Sequence, residues 1–178
     1  MNLFIRFFYH FFISRFISKI NINESDVCSL RVYPNDLDLN FHMNNGRFLS
    51  LMDIGRMRLS IRSGLHEKAM EKKWGFGVVG GLNITYLKSL APFQSFILKT
   101  KLAGHCDGWF YIEQRIESRE KLICAALVKV VFLSKGKRVP VEEVINIMNV
   151  DDIGENKNYL DKLFNSEKEF LNHLKTEY

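Results

Sequence analysis

The chain is 178 residues long, 47% hydrophobic and 25% charged, which makes one folded domain the default and argues against intrinsic disorder. Three scattered cysteines, Cys28, Cys106 and Cys124, fit neither a zinc knuckle nor a CxxC pair, so no disulfide scaffold is expected and a reducing cytoplasm is the natural setting. The net charge of +5 divides into +3 over residues 1–22, +5 over 23–150 and −3 over 151–178. That basic centre suits an anionic small ligand, and the absence of helix-turn-helix, zinc-finger or RNP patterns argues against nucleic acid.

Residues 1–22 form a first unit. Six of the fifteen Phe fall within its first sixteen residues, with Arg6, Arg15 and Lys19 and no acid. Only eight uncharged residues separate Arg6 from Arg15, whereas a spanning helix needs ~20 apolar residues. On a helical wheel Phe4, Phe7 and Phe11 cluster, with Arg15 near them and Arg6 opposite. Two readings stand side by side. The helix lies on a membrane surface through residues 1–20, with its cations toward anionic lipid, or it docks on the domain or on a partner subunit. The first reading would put the protein at the inner face of a membrane as a peripheral protein.

A second unit, 23–148, holds the body of the chain. Val27–Tyr33 reads as a strand ended by Pro34, and residues 35–44 as a polar loop. A helix over 46–64 follows: Phe48, Met52, Gly55 and Leu59 recur at helical spacing, and Leu51 broadens the stripe. Asn44 or Asn45 caps it and Gly64 stops it. After a short charged helix around 65–73 the period changes to two. Leu82, Ile84 and Tyr86 alternate with Asn83, Thr85 and Leu87, and Phe96, Leu98 and Leu102 oppose Lys99 and Lys101. Asp107-Gly108 marks a turn into a strand over 109–116. Residues 121–133 are almost continuously apolar, as in a strand covered on both faces. A single greasy helix beside a long antiparallel sheet predicts an α+β fold in which the sheet curls around the helix. The remainder, 149–178, reads as a polar helical tail at the periphery.

Three motifs lack the context their chemistry requires. Gly75-x-Gly77-x-x-Gly80 copies the dinucleotide-binding pattern, but a charged helix precedes it and a strand follows, so its glycines are read as allowing a bulge or close approach. Asn83-Ile84-Thr85 is a glycosylation sequon inside a predicted core strand. His105-Cys106-Asp107 abuts a turn and has no partners at metal-ligand spacing. No metal or cofactor is expected.

The remaining constellation is Asp36-Leu-Asp38-Leu-Asn40-Phe-His42-Met-Asn44-Asn45-Gly46-Arg47. Polar residues alternate from 36 to 44 immediately before the most apolar helix of the body. A helix start offers unpaired N–H groups and a positive dipole end, which stabilise a developing oxyanion. A carboxylate and an imidazole nearby could activate water or position a carbonyl. On the residues alone, this is a candidate anion- or carbonyl-binding loop.

The run DLDLNFHMNNGRFLSLMDIGR resembles the signature of hotdog-fold acyl-CoA thioesterases of the 4-hydroxybenzoyl-CoA thioesterase-like branch. The wider chain resembles the group that includes thioesterase superfamily member six. The likeness extends through GGLNITYLKSLAPFQSF, the strand around WFYIEQRI and the segment Arg138-Val139-Pro140-Val141. It implies a hotdog fold, a curved antiparallel sheet wrapped around one long central helix, here with extra N-terminal and C-terminal helices. A homodimer or dimer of dimers, with sheets joined edge to edge and sites between subunits, is also implied. The implied activity is hydrolysis of acyl thioesters, acyl-CoA to free acid and CoA, with coenzyme A as part of the substrate. By the same resemblance Asp38 is general base or nucleophile, and the Asn45 backbone N–H polarises the thioester carbonyl. Plant acyl-carrier-protein thioesterases carry a similar D-x-N-x-H run, which implies that Asn40 and His42 assist Asp38. Asn44 and Gly46 line the substrate position, and Arg56, Arg58, Lys72 and Lys73 are the cations expected to meet coenzyme A phosphates. The competing expectation is a non-catalytic, membrane-associated acyl- or lipid-binding module that keeps fold and loop.

Overall fold

The computed structural model describes residues 2–150 and 157–176. Five helices and seven strands follow in chain order among them. They are α1 (Leu3–Ile13), β1 (Asp26–Arg31), α2 (Asn45–Arg62), α3 (Leu65–Glu71), β2 (Val78–Tyr86), β3 (Ser95–Cys106), β4 (Trp109–Ser118), β5 (Lys121–Val131), β6 (Leu133–Ser134), β7 (Lys137–Arg138), α4 (Val141–Met148) and α5 (Lys157–Thr176). Five strands form one antiparallel sheet in the order β1-β3-β4-β5-β2, and β6 and β7 make a separate two-stranded hairpin.

Helix α2 starts at its predicted cap. Asn44 is extended, and its Oδ1 accepts the Gly46 N–H at 2.8 Å. Gly64, at φ +79°, takes the left-handed conformation that ends the run. Phe48, Leu51, Met52, Gly55 and Leu59 are buried as the stripe predicts, but so are Ile54, Met57 and Ile61. The burial spreads because the sheet covers one side of α2 and α1 packs on another. Gly55 marks the closest approach of helix to sheet: a Cβ there would lie 2.4 Å from Thr100 Oγ1 and 2.8 Å from Leu98 Cδ2.

The inner face of β3 presents Phe96, Leu98, Thr100 and Leu102, while Lys99 and Lys101 project outward to Glu117 and Glu113 of β4. The Asp107-Gly108 turn closes that hairpin with both residues at positive φ. Strand β5 is buried over most of its length. Its outer side is covered by α5, where Leu160 packs with Tyr111 and Leu127, and Glu167 accepts a hydrogen bond from Lys129. The polar C-terminal helix therefore roofs the outer face of the sheet, which the expectation of a peripheral tail did not include. Residues 151–156 of that tail lie outside the described residues.

Strand β2 corrects a second expectation. Among the described residues it pairs with β5 alone and ends the sheet, its other edge open. Leu82, Asn83 and Tyr86 are consequently exposed rather than core residues. Of the Gly75-x-Gly77-x-x-Gly80 glycines, Gly80, within β2, does serve a bulge: the register with β5 shifts between Val79 and Gly81, and the Trp109 ring lies where a Cβ on Gly80 would stand.

Candidate active site

The DLDLNFH run folds back on itself as a tight reversal instead of lying as a row along one face. Leu37 and Met43 form an isolated antiparallel bridge, and the Asp38 N–H donates to the His42 carbonyl at 2.9 Å. Met43 is buried and donates its N–H to the Leu90 carbonyl, which anchors the returning limb in the core. At the tip Phe41 adopts φ +56°, and Leu39, Asn40, Phe41 and His42 are all exposed. The alternation of polar residues thus does not place them on a common face: Asp36 is buried, Asp38 half-buried, and Asn40, His42 and Asn44 exposed.

Asp38 is held by its own loop. Its Oδ1 accepts the Asn40 N–H at 2.8 Å and the His42 N–H at 3.4 Å. It is the backbone of Asn40 and His42, not their side chains, that orients the carboxylate. Both bonds fall on Oδ1, so Oδ2 is the oxygen left to meet water or substrate.

The helix start lies directly downstream. The Asn44 side chain satisfies the Gly46 N–H and the Asn44 carbonyl accepts from Arg47 N at 2.8 Å. Asn45, exposed at the first position of α2, presents one of the amides that a helix cannot satisfy internally. Tyr86 reaches the same place from β2: its hydroxyl donates to the Asn45 carbonyl at 3.1 Å, and its ring meets Phe48 edge-on at 5.3 Å. Desolvation raises the Tyr86 pKa above the ordinary phenol value. The period-two pattern had put Tyr86 on a strand face, but nothing in the sequence tied that face to the cap of α2.

Asp36, two residues before Asp38, has a different task. Its Oδ2 accepts from Arg6 Nη1 at 2.6 Å and from the Tyr33 N–H at 2.9 Å, with both charged side chains about 1% exposed. Arg6 also donates to the Arg31 carbonyl at 3.0 Å and stacks over the Tyr33 ring. Arg47 stands 3.9 Å from the other Asp36 oxygen and donates to the Asn35 carbonyl. The loop is therefore latched from one side by α1 and from the other by the first turn of α2. Only the charge of Arg6 and the D-x-D spacing were visible in advance; their pairing across thirty residues was not.

The four cations expected to meet phosphates are not gathered at this loop. Arg58 is corrected outright: it is buried and donates through Nε and Nη2 to Asp26, which also takes a hydrogen bond from Arg62. Arg56 donates to Gln114 Oε1 at 2.6 Å and to Asp53. Burial pulls its pKa below the ordinary guanidinium value and Asp53 acts against that pull. Lys72 and Lys73 are exposed beyond α3, past the far end of the 18-residue α2; a helix of that length spans ~27 Å.

A cavity of about 500 Å³ opens between α1, α2 and the inner face of the sheet, a size typical of small-molecule sites. Leu3, Phe4, Phe7 and Phe8 of α1 form one wall and Val79, Leu102, Phe110, Ile112 and Val130 another. Ser50, Asp53, Arg56 and Ser60 supply its polar atoms. Asp38 and Asn45 do not line it. Ser50 does, and its hydroxyl donates to the Gly46 carbonyl at 3.1 Å, so the cavity rim begins one turn from the helix start. Asp53 is a carboxylate on that wall which the loop-centred reading passed over. Among the described residues no three His, Cys, Asp or Glu side chains converge as a metal site.

A sequence model of the thioesterase-like superfamily matches residues 32–148, and the chain belongs to that family. Protein THEM6 of Xenopus laevis is 38% identical over 98 residues, 54% of this chain and 47% of that protein. The chain thus spans about half the length of the THEM6 relatives it matches. Among solved structures, YbaW of Escherichia coli superposes with a TM-score of 0.64 at 20% identity, covering 68% of this chain and 95% of its own. A mutant 4-hydroxybenzoyl CoA thioesterase crystallised with 4-hydroxybenzoyl CoA gives 0.62 at 13% identity, covering 70% and 98%. At these identities the likeness is one of fold, and the fold is the hotdog: a curved antiparallel sheet around the central α2, here with helices added at both ends.

Proposed function

We propose that this chain hydrolyses acyl thioesters at the junction of the Asp38 loop and the start of α2. The observation that carries the reading is the fixed Asp38 carboxylate, held through Oδ1 by two backbone N–H groups of its own loop, seven residues before the exposed amide of Asn45. Asp38 Oδ2 takes a proton from water as the water oxygen attacks the thioester carbon. The carbonyl oxygen gains the negative charge against the amides and dipole of the helix start. On collapse the C–S bond breaks, the acid departs and the thiolate recovers the proton. Asn40 and His42 contribute the amides that orient Asp38. The apolar cavity that begins near Ser50 takes the acyl chain, and the solved 4-hydroxybenzoyl CoA complex of a protein sharing this fold supports coenzyme A as the thiol carrier.

The open edge of β2 supports a dimer. Two copies paired along that edge about a two-fold axis run antiparallel, so the N-terminal end of one β2 approaches the C-terminal end of the other. Lys72 and Lys73 precede β2, while Tyr86 ends it beside Asn45. The partner's lysines are thereby brought toward the site, a route to the phosphates that one chain alone does not provide.

Release of free thiol from short-, medium- and long-chain acyl-CoAs tests the reading. Turnover rising with chain length until the cavity is filled is expected. A folded protein that binds acyl-CoA without releasing thiol at any length would replace hydrolysis with the non-catalytic acyl-binding function.

A further inference from the structure

Helix α1 is mounted with its polar face inward. It buries Arg6 and His10, and Ser14, the residue that caps its end, continues the row at i, i+4 and i+8. Arg6 is spent on Asp36, His10 faces Cys28 Sγ, and the Ser14 hydroxyl donates to the His10 carbonyl. The opposite face carries Ile5, Phe8, Tyr9 and Phe12, each 54–59% exposed, continued by Phe16 at 86%. Leu3, Phe7 and Phe11 flank that buried row and pack against the core. The buried ion pair holds it as it is, and five large apolar side chains in one stripe face outward.

We propose that this outward face docks on an anionic lipid bilayer surface. Its charge identifies the occupant. Residues 1–22 contain no acid, and Arg15 is exposed at the edge of the stripe, its guanidinium 4.2 Å from the Phe11 ring centroid and 6.0 Å from that of Phe12. Arg6 is taken by Asp36 and Lys19 by Glu67, so Arg15 is the cation at the stripe. An aromatic face edged by such a cation lies in the interface plane, with rings among acyl chains and guanidinium at the headgroups. No helix among the described residues is long and apolar enough to cross the bilayer, so the contact is made along the helix. Phe4 and Phe8, exposed on α1, also wall the cavity, so the docked helix sets that cavity beside the bilayer; a route for acyl chains through it rests on the hydrolysis reading, whereas the docking does not.

The test is cosedimentation of the full chain with phosphatidylcholine vesicles, with and without roughly one-third phosphatidylserine. The parent is compared with a triple variant Ile5→Ser, Phe12→Ser, Phe16→Ser, whose positions line neither the cavity nor the loop. Binding of the parent to anionic vesicles that weakens as salt rises, and falls ~100-fold or more in the variant, is expected. Thermal unfolding of the variant should match the parent, since the replaced side chains are exposed. Equal partitioning of parent and variant overturns the proposal. So does lipid-free self-association that the same substitutions abolish, which would make a second copy the occupant. Thiol release from a soluble short-chain acyl-CoA without lipid, measured on both proteins, separates this outcome from the fate of the hydrolysis reading.

Discussion

Two carboxylates two residues apart divide the labour of the loop. Asp36 points into the protein and is neutralised by Arg6, whereas Asp38 is half-buried and held by the backbone amides of Asn40 and His42. Asp36→Asn should therefore appear as lost stability and Asp38→Asn as lost turnover. Gly55 is a third residue with one assignable role, because nothing larger fits between α2 and Thr100. Gly55→Ala should destabilise the fold by about 1–3 kcal/mol, the usual cost of overpacking. Urea unfolding of parent and variant measures it, and an unchanged midpoint would mean that helix and sheet stand farther apart.

Among the elements, α1 carries the clearest energetic consequences. Arg6→Met would leave the buried Asp36 carboxylate with Arg47 at 3.9 Å as its remaining cation. Cutting a buried pair costs about 3–5 kcal/mol, and a fall in the urea midpoint measures it. His10 adds a pH dependence. Burial, then Arg58 and Arg6, pull its pKa down from 6.5 to about 4. Above the unfolded-state value neither state is protonated and this group contributes no slope. As pH falls from about 6.5 toward about 4, the unfolded chain takes up the proton first, so stability declines by at most about 3 kcal/mol. Urea midpoints across that range should show the decline, and His10→Gln should flatten it. The orientation of α1 also shows where sequence reading stops. Central helix α2 was legible because cap, period and stop agree from Asn44 to Gly64. For α1 the wheel clustered Phe4, Phe7 and Phe11 with Arg6 opposite; Phe7 and Phe11 pack against the core, but Phe4 is exposed and Arg6 turns inward to a partner in a distant loop. Strand β2 was legible as a strand, and its exposure was not, since alternation reports pairing and says nothing of what covers an edge.

The molecule as a whole has an inner sheet face filled by α2, an outer face roofed by α5 and an open edge at β2. Unpaired strand edges invite association. A two-fold dimer through β2 should therefore be seen by light scattering, and Leu82→Lys, at an exposed β2 position, should shift it toward monomer. A monomer at all concentrations would leave Lys72 and Lys73 without a role at the site. The site itself was half legible: the DLDLNFHMNN run located the loop and the capped helix. The tight reversal, the latch to Arg6 and the approach of Tyr86 depend on contacts that no local pattern encodes.

The central claim is that the Asp38 carboxylate performs the chemistry. Its most direct test is steady-state thiol release from a good acyl-CoA substrate by the parent and by Asp38→Asn, with thermal unfolding recorded on both. A fall in kcat of ~100-fold or more, the usual scale for an acid–base group, at little changed stability is predicted. Equal rates from two folded proteins would contradict it.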